Sequence, residues 1–337
     1  MLPLIGITMG DPAGIGPEII LKAVNAETRS CRVVVLGDLD TLRETARRLG
    51  SQLASVAWQP GTLYPTEAEV LPVLPLSQLA AESRRPGHPT IPGGEASYQY
   101  VEAGVRLTLN GILQGLVTAP ISKAMWHAAG RTYPGHTELL ATLTDTREVR
   151  MMLVGPRLRV ILVTTHLALS QVPTALSQER ILRTISLASA HLSRFHELRP
   201  PRLAVAGLNP HAGEAGAFGD EEERLISPAV RCAQALGLTV DGPFPADSLF
   251  VRAVKGEFDG VICLYHDQGL IPLKLLSWED GVNVTIGLPI VRTSPDHGTA
   301  FDIAGQGVAN PRSLRAAINL AVEMTKNCEN HESSHLS

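Results

Sequence analysis

Three apolar segments of the chain each end in a histidine that is followed by small or polar residues. The segments are VILVTTHLAL, with His166, LAVAGLNPHAGE, with His211, and VICLYHDQG, with His266. Ligands bind just beyond the carboxyl ends of strands in open α/β sheets, so histidines delivered to several such ends can converge on one point. Converging imidazoles form divalent-metal sites. Each histidine alone is more simply interpreted as a strand cap or a loop hydrogen bond, but three in the same topological position favour a metal site.

Polar residues accompany these histidines. Asn209 precedes His211 by two positions, and Asp267 and Gln268 follow His266 directly. Their side-chain oxygens can accept a hydrogen bond from one ring N–H, which leaves the other ring nitrogen to face a metal. The pattern therefore predicts the surroundings of a metal site as well as its ligands.

The segment VTAPISKAMWHAAGRTYPGHTELLA carries residues suited to holding an anion. Ser122 and Lys123 lie at the start of a helix-like run, and His136 and Thr137 open another. Helix N-termini that carry Thr, Lys or His favour anions, including phosphate. An ordinary helix cap at Thr137 explains the same spacing, so both interpretations stay open.

Three further polar residues, Lys274, Asn283 and Arg292, lie beside apolar or glycine-rich sequence. Such neighbours favour the lining of a pocket over the usual solvated surface charge. The segment DHGTAFDIAGQGVANP, from Asp296 to Pro311, is dense in small residues, as a loop that follows the surface of a flat ligand would be. Taken alone, it is equally consistent with a long turn.

The opening segment TMGDPAGIGPE joins a strand-like run to a helix-like run. Its glycines, Gly10, Gly14 and Gly16, permit a tight turn and close backbone approach. Their spacing is not GxGxxG, and no acidic residue follows at the distance that a ribose contact requires. A conventional Rossmann fingerprint is therefore excluded, and the segment is interpreted as a strand–helix turn.

Short apolar runs alternate with amphipathic segments along most of the chain, which predicts βαβ units and a largely parallel sheet. The predicted strands are Leu4–Thr8, Arg32–Leu36, Gly115–Thr118, Arg159–Thr164, Arg202–Ala206 and Gly260–Leu264. The predicted helices are Pro17–Val24, Glu95–Leu109, Ser177–Arg194 and Glu221–Leu236. Two stretches depart from this alternation: the proline-rich Gly61–Gly94 is expected to be irregular, and the polar Asn327–Ser337 to be disordered.

Composition limits the function classes further. The chain has 337 residues, enough for two domains, and a net charge of −4 with no basic stripe, which argues against nucleic-acid binding. The four cysteines form no CxxC pair, so neither a disulfide framework nor a cysteine zinc site is expected. No apolar run reaches the roughly 20 residues of a membrane span. The N-terminal MLPLIGITMGDPAG resembles a strand rather than a signal peptide, and we expect a cytoplasmic protein.

Taken together, seven motifs resemble those of the 4-hydroxythreonine-4-phosphate dehydrogenase family of pyridoxal-phosphate biosynthesis and its paralogues. In order between Leu4 and Asn327, they are GDPAGIGPE, VTAPISK, PGHTELLA, TTHLAL, GLNPHAGE, LYHDQGL and GLPIVRTSPDHGTAFDIAG. The resemblance implies a two-domain α/β fold like that of isocitrate and isopropylmalate dehydrogenases, with mostly parallel sheets and the active site in the interdomain cleft. It places residues 1–125 and 290–327 in the first domain, 126–289 in a second domain with the metal ligands and the dimer contact, and 328–337 in a disordered tail.

The resemblance also assigns roles to individual residues. The divalent-metal ligands would be His166, His211 and His266. The substrate contacts would be His136, Thr137, Lys274, Asn283 and Arg292. The cofactor contacts would be Asp296, His297, Gly298, Thr299, Asp302 and Gly305. Candidates for the group that takes the hydroxyl proton are Lys274, Asp247 and Asp267.

The implied activity is NAD-dependent oxidation of 4-phosphooxy-L-threonine by a homodimer whose metal site, for Zn, Mg, Co or Mn, is shared between subunits. NAD is favoured over NADP because no arginine cluster accompanies the predicted adenosine loop. The opening TMGDPAGIGPE is more similar to paralogues that act on D-threonate or D-erythronate 4-phosphate, which makes such a substrate the first alternative. A phosphate-free cis-dihydrodiol carboxylate is the second. A phosphate-binding acyl- or phosphotransferase, or a non-catalytic binding protein, would have no need of the three histidines.

Overall fold

The computed structural model describes residues 2–24 and 30–335, with side chains as far as residue 328. The chain forms two compact units, Met1–Arg147 with Leu288–Lys326 (the first unit) and Glu148–Gly287 with Asn327–Ser337 (the second unit). No helix among the described residues is both long enough and apolar enough to span a membrane.

The first unit is a parallel sheet with helices, its elements numbered along the chain. The strands are β1 (Leu4–Thr8), β2 (Arg32–Asp38), β3 (Ala54–Ala57), β4 (Val70–Ser77), β5 (Gly115–Thr118) and β12 (Arg292–Pro295). The helices are α1 (Gly16–Ala23), α2 (Leu39–Leu49), α3 (Ile91–Leu109), α4 (Lys123–Ala128), α5 (His136–Leu143) and α11 (Arg312–His335), the last of which continues into the second unit, with a 3₁₀ turn at Ala81–Arg84. The strand order is β3-β4-β2-β1-β5-β12.

The second unit has a mixed sheet. Its strands are β6 (Arg150–Val154), β7 (Arg159–Leu162), β8 (Leu203–Ala206), β9 (Val240–Phe244), β10 (Gly260–Cys263) and β11 (Val282–Ile286). Its helices are α6 (Val172–Ala175), α7 (Gln178–Phe195), α8 (Ser227–Ala235), α9 (Ala246–Val254) and α10 (His266–Leu276), with 3₁₀ turns at Leu169–Gln171 and Pro210–Gly216 and a π-turn at Glu222–Ile226. The order is β11-β6-β7-β10-β8-β9, in which β6 pairs antiparallel with both β11 and β7.

Continuous apolar strands form the core of each unit. Ile5 and Ile7 of β1 and Val34 of β2 are fully buried, and so are Val261 and Cys263 of β10. Strands covered by helices on both faces are expected to be apolar throughout, and each fully buried aliphatic side chain contributes about 1.5–3 kcal/mol. The predicted fold class, a mostly parallel α/β architecture, is confirmed, and the ends of the six predicted strands are each placed within two residues.

Three predictions about organisation need correction. The stretch Gly61–Gly94 is not irregular throughout, because it contains β4, which pairs with both β2 and β3. Residues 126–147 lie in the first unit rather than the second, since the buried Trp126 packs on α3 and donates from Nε1 to Ser97 Oγ at 2.8 Å. The tail from residue 328 continues helix α11 as far as His335, where no Gly or Pro interrupts it; residues 336 and 337 lie outside the described residues.

Candidate active site

Two of the three predicted metal ligands lie together in the second unit. His166 follows β7, His266 is the first residue of α10 directly after β10, and these two strands are paired in parallel. The centroids of the two rings are 5.6 Å apart, with 43° between the ring planes. Two imidazoles bound to one ion at about 2.0–2.1 Å place their centroids roughly 5–6 Å apart. The spacing of this pair therefore fits a shared metal ion.

The orientation of His266 is fixed by its neighbour. Nδ1 of His266 lies 2.7 Å from Oδ1 of Asp267. A carboxylate on one ring nitrogen leaves the other nitrogen, Nε2, for a metal and raises its basicity. Asp267, one of the three candidates for the general base, is thereby the partner of a predicted metal ligand.

His211 does not join this pair in a three-ligand cluster among the described residues. It opens a turn in which Ala212, Gly213, Glu214 and Ala215 share its left-handed conformation, with φ between 44° and 84°. The His211 side chain is exposed and its ring lies 6.0 Å from that of Phe218. Within residues 2–24 and 30–335, no group of three His, Cys, Asp or Glu side chains assembles to hold a metal ion. One chain thus presents a histidine pair and a separate third histidine.

The other candidates in the second unit lie on α9, α10 and β11. Lys274 is half-buried, with Nζ 5.3 Å from the centre of the Trp278 ring. The Oδ1 atom of Asn283 is buried and accepts no hydrogen bond from the described residues. Buried polar atoms normally have a partner, so this oxygen is available to a ligand. Asp247 is exposed in the first turn of α9, where it accepts a hydrogen bond from the backbone of Ser248 at 2.8 Å.

In the first unit, the predicted substrate contact Arg292 is almost completely buried. Its side chain is 2% exposed and donates to Thr118 Oγ1 from Nη2 at 2.6 Å and from Nε at 3.2 Å. Burial lowers the pKa of the Arg292 guanidinium to about 9, which leaves it charged at neutral pH. The Thr118 hydroxyl is neutral, so these hydrogen bonds do not cancel the positive charge of the Arg292 guanidinium. A buried guanidinium of this kind is suited to bind an anion.

His136 shares this region of the first unit. It is the first residue of α5, followed by Thr137, and its buried Nε2 has no hydrogen-bond partner among the described residues. Burial, followed by the charges of Arg292 and Lys123, holds the pKa of His136 well below its usual range. The ring is therefore neutral, and positive charge concentrates at the start of α5, where helix N–H groups also favour anions. Lys123 belongs to this group although the resemblance does not assign it a role.

The predicted cofactor loop, Asp296–Gly305, is fastened to the turn that opens the chain. The backbone N–H of Ile15 donates to the carbonyl of Thr299 at 3.0 Å, and a Cβ on Gly14 would lie 3.0 Å from the same oxygen. Close approach of the loop therefore favours glycine at position 14. The motif GDPAGIGPE, interpreted from sequence as a strand–helix turn, is such a turn, and it also supports the loop.

An ion pair between buried Glu18 and partly exposed Lys22 holds the chain just after this loop. The side chain of Glu18, 2% exposed, accepts from the backbone N–H of Ala309 at 2.9 Å and of Gly307 at 3.3 Å. Lys22 Nζ donates to Glu18 at 2.8 Å and to the carbonyls of Gly307 and Ala309 at 2.7 and 2.9 Å. Sequence reasoning placed Glu18 only in the first turn of a helix, because nothing local indicates contacts so distant along the chain.

The six predicted cofactor contacts are spread along an open loop. His297, Gly298 and Asp302 are exposed, and Asp296, Thr299 and Gly305 are partly buried. Nδ1 of His297 lies 3.1 Å from the carbonyl oxygen of Gly298. The backbone of Gly305 is left-handed, with φ of 78°. An accessible loop on a fixed base is suited to the flat face of a nucleotide.

Asp11 is a further residue that sequence reasoning did not single out. It is fully buried in the opening turn, where Oδ1 accepts from the backbone N–H of Ala13 at 2.9 Å and Oδ2 has no partner among the described residues. Burial raises the pKa of this carboxyl to about 6. The only signal in the sequence was an acidic residue between Gly10 and Pro12, a setting typical of turns.

Comparison with known proteins identifies the family. The model of the pyridoxal phosphate biosynthetic protein PdxA family matches residues 29–321. The chain belongs to the PdxA family. A 4-hydroxythreonine-4-phosphate dehydrogenase of Desulforapulum autotrophicum is 49% identical over 325 residues, which are 95% of this chain and 94% of that protein. A D-threonate 4-phosphate dehydrogenase of Cupriavidus necator is 45% identical over 335 residues, which are 96% and 97% of the two chains.

A solved structure agrees with this placement in the PdxA family. The crystal structure of a 4-hydroxythreonine-4-phosphate dehydrogenase from Klebsiella pneumoniae matches with a TM-score of 0.88 at 43% identity, over 96% of this chain and 98% of that one. The family expected from the seven motifs is confirmed. The relatives are named as dehydrogenases, and their names divide between two phosphorylated substrates.

Proposed function

We propose that this chain is a metal- and NAD-dependent dehydrogenase that oxidises a hydroxyl group of a small phosphorylated hydroxy acid, with NADP as the alternative cofactor. The observation that carries the proposal is the pair His166 and His266, 5.6 Å apart at the ends of paired strands, with Asp267 on His266. A transferase or a non-catalytic binding protein of this fold would have no use for such a pair.

The metal ligands would be His166, His211 and His266, and a second copy of the chain would complete the set. Neutral imidazoles leave a divalent ion its full charge, and open coordination positions for substrate. The support for a homodimer lies beside the histidines: Ile271, Leu275 and Trp278, on α10 and just after it, are 59%, 82% and 77% exposed. Apolar side chains this exposed on one short segment are typical of a protein interface.

Each unit, taken by itself, contains donors suited to an anionic group. In the first unit, Arg292 and the start of α5, with His136 and Thr137, would bind a phosphate or a carboxylate. In the second unit, Lys274 and Asn283 offer an amine and an amide as hydrogen-bond donors. Buried charged donors bind such groups more strongly than neutral donors do.

The reaction would begin with loss of the substrate hydroxyl proton, for which Lys274 and Asp247 are the candidate acceptors, and Asp267 a third through water. A divalent ion held by the histidines would supply positive charge that lowers the pKa of the hydroxyl, and a nicotinamide held by the Asp296–Gly305 loop would supply the hydride acceptor. Oxidation of the hydroxyl of 4-phosphooxy-L-threonine gives a β-keto acid. Loss of carbon dioxide from that acid yields 3-amino-2-oxopropyl phosphate.

A second candidate substrate is D-threonate or D-erythronate 4-phosphate. The opening TMGDPAGIGPE favours it, since that variant is more similar to the paralogues that act on sugar acids. The relatives support both candidates, because proteins with either kind of name are between 44% and 49% identical to this chain. A phosphate-free cis-dihydrodiol carboxylate is the third candidate, and Arg292 does not separate it from the others, since a guanidinium binds a carboxylate as well as a phosphate.

The experiment that tests the proposal is a comparison of NADH production by the metal-loaded protein on 4-phosphooxy-L-threonine, D-threonate 4-phosphate and D-erythronate 4-phosphate. The highest kcat/KM on the amino acid supports a role in pyridoxal-phosphate synthesis, and the highest value on a sugar acid supports a catabolic role. Turnover of none of the three would contradict the proposal and direct attention to phosphate-free diols.

A further inference from the structure

The ends of the three strands that carry the histidines are joined by buried polar side chains. At the end of β7, Thr164 Oγ1 donates to the carbonyl of Leu264 at 2.6 Å, so the segment of His166 is bonded to the segment of His266. Beyond β8, one carboxylate oxygen of Glu222 accepts from the backbone N–H groups of Leu208 and Asn209, both at 2.7 Å. These bonds lie just beyond the last paired residues of the strands.

Gln268 makes the link between the other two segments. Its Oε1 accepts from the backbone N–H of Leu264 at 2.7 Å, and its Nε2 donates to the carbonyl of Gly207 at 2.7 Å. The side chain is only 7% exposed. Leu264 lies two residues before His266, and Gly207 lies four residues before His211. One amide thus spans the gap between the strand ends from which the two histidines project.

We propose that Gln268 is a positioning residue of the histidine site, which holds in place the backbone segments from which His211 and His266 project. The inference rests on the proposed metal site and adds a residue that touches neither metal nor substrate. The last pairs of the β8–β10 ladder are Ala204 with Val261 and Val205 with Ile262. Beyond these pairs the two strands are no longer joined by ladder bonds. The Gln268 amide replaces the bonds that a continued ladder would have made.

Both hydrogen bonds of the amide are needed for this role. Gln268→Met keeps the length of the side chain and leaves a buried N–H and a buried C=O without partners, which costs about 1–3 kcal/mol for each group. Gln268→Glu keeps the acceptor for Leu264 but presents an oxygen to the Gly207 carbonyl. Each variant should therefore let the two segments move apart while the apolar core around them is unchanged.

The test is Co²⁺ binding to the metal-free full-length protein, followed by the visible spectrum of the bound ion. We expect Gln268→Met and Gln268→Glu to raise the Kd for Co²⁺ by about 10–100-fold and to change the spectrum, as loss of a residue that orients ligands does. Gln234 is the control, since its Nε2 also donates to a backbone carbonyl of this unit, that of Val240 in the edge strand β9, at 2.8 Å. Gln234→Met should bind Co²⁺ as the unmodified protein does.

Two kinds of failure are distinguishable. If Gln268→Met and Gln268→Glu bind Co²⁺ with unchanged Kd and spectrum, or weaken binding no more than Gln234→Met does, Gln268 is only structural and the inference is overturned. If His266→Ala binds Co²⁺ as tightly as the unmodified protein, the metal site itself is wrong. Because Gln268→Glu retains one of the two bonds, it serves as the folded variant should Gln268→Met fail to fold.

Discussion

Arg292 in the first unit and His211 in the second are both proposed to hold the substrate or its metal, but their surroundings are opposite. Arg292 is 2% exposed and bonded to Thr118, and the neighbouring cofactor loop is fastened by Glu18 and Lys22. His211 is exposed, on a turn whose left-handed conformation includes Ala212, Glu214 and Ala215. Such a conformation costs roughly 1–2 kcal/mol for each residue other than glycine.

The two units differ in whether the geometry of the candidate site forms on folding alone or only when a ligand binds. In the first unit, the anion-binding group and the base of the cofactor loop are formed by internal packing, so their geometry exists before any ligand binds. In the second unit, only the pair His166 and His266 is close, and binding free energy from the metal and from a second copy would bring in the third ligand.

The largest effect is expected for His211→Ala. We predict a fall in turnover of at least about 10³-fold, because one of three metal ligands is lost, with little change in the melting temperature, because the side chain is exposed. The assays are NADH production after chelation and metal restoration, and thermal unfolding. His127→Ala, an exposed histidine of α4 in the first unit, is the control. Near-normal turnover of His211→Ala would remove His211 from the site.

Mild acid should destabilise the second unit more than the first. His191 and His196, on and just after α7, are buried with ring nitrogens that have no partner among the described residues. Burial lowers the pKa of His196 to about 4 and that of His191 well below its usual range, with smaller contributions from Arg159 and Arg194. The unfolded chain, with histidine pKa values near 6.5, therefore binds more protons than the folded chain, and stability falls as the pH drops below about 6.5.

For this pair we expect a loss of about 2 kcal/mol between pH 6.5 and pH 5.5. In the first unit, neutral His136 acts in the same direction, but Asp11, with its pKa raised to about 6, binds more protons when folded and opposes it. Urea unfolding combined with hydrogen exchange should show protection lost in α7 before α3. A double variant, His191→Leu with His196→Leu, should reduce the difference. Equal loss of protection in both helices would contradict the contrast.

Arg292→Lys tests whether the anion-binding group depends on the guanidinium. An ammonium cannot reproduce the planar set of donors, and loss of a charge-assisted bond costs about 1.5–3 kcal/mol, so we expect kcat/KM to fall by about 10–100-fold, mainly through KM. The measurement is steady-state kinetics on the preferred phosphorylated substrate, with the KM for NAD as the internal control. An unchanged KM for the substrate would show that the anion binds elsewhere.

The smallest effect is expected for Glu18→Gln. The variant keeps the shape of the side chain but weakens the bonds to Lys22 and to the loop at Ala309, each by about 0.5–1.5 kcal/mol. We predict a rise of about 3–10-fold in the KM for NAD and little change in the KM for the substrate. Glu102→Gln, at an exposed position on α3, is the control. A selective change in the substrate KM would argue against the assignment of the loop.

The sequence predicted the architecture well where the pattern was local. Apolar runs located strands such as β1 and β10 because burial on both faces leaves a direct compositional trace. Strand β4 was not predicted, because Pro72 and Pro75 interrupt it and proline normally marks an edge or a break. In the structure β4 lies between β3 and β2, so its other backbone groups and its buried apolar side chains outweigh the missing donors.

The candidate site was predictable where a local sequence pattern marks its residues. The three histidines could be found because each ends an apolar run, and the pairing of two of them follows from the pairing of β7 with β10. The supporting roles of Glu18 and Gln268 are tertiary, since each touches a segment distant in sequence. The left-handed backbone at His211 could not be predicted from the sequence either, because only Gly213 and Gly216 of that turn are glycines.

The measurement that tests the central claim most directly is NADH production before and after removal of divalent metal from the unmodified protein. With the preferred phosphorylated substrate and saturating NAD, we predict that EDTA reduces the rate to background. Restoration of Zn²⁺, Mg²⁺, Co²⁺ or Mn²⁺ to about one ion per histidine site should recover it. A full rate in the presence of chelator, with no metal bound to the protein, would contradict the account.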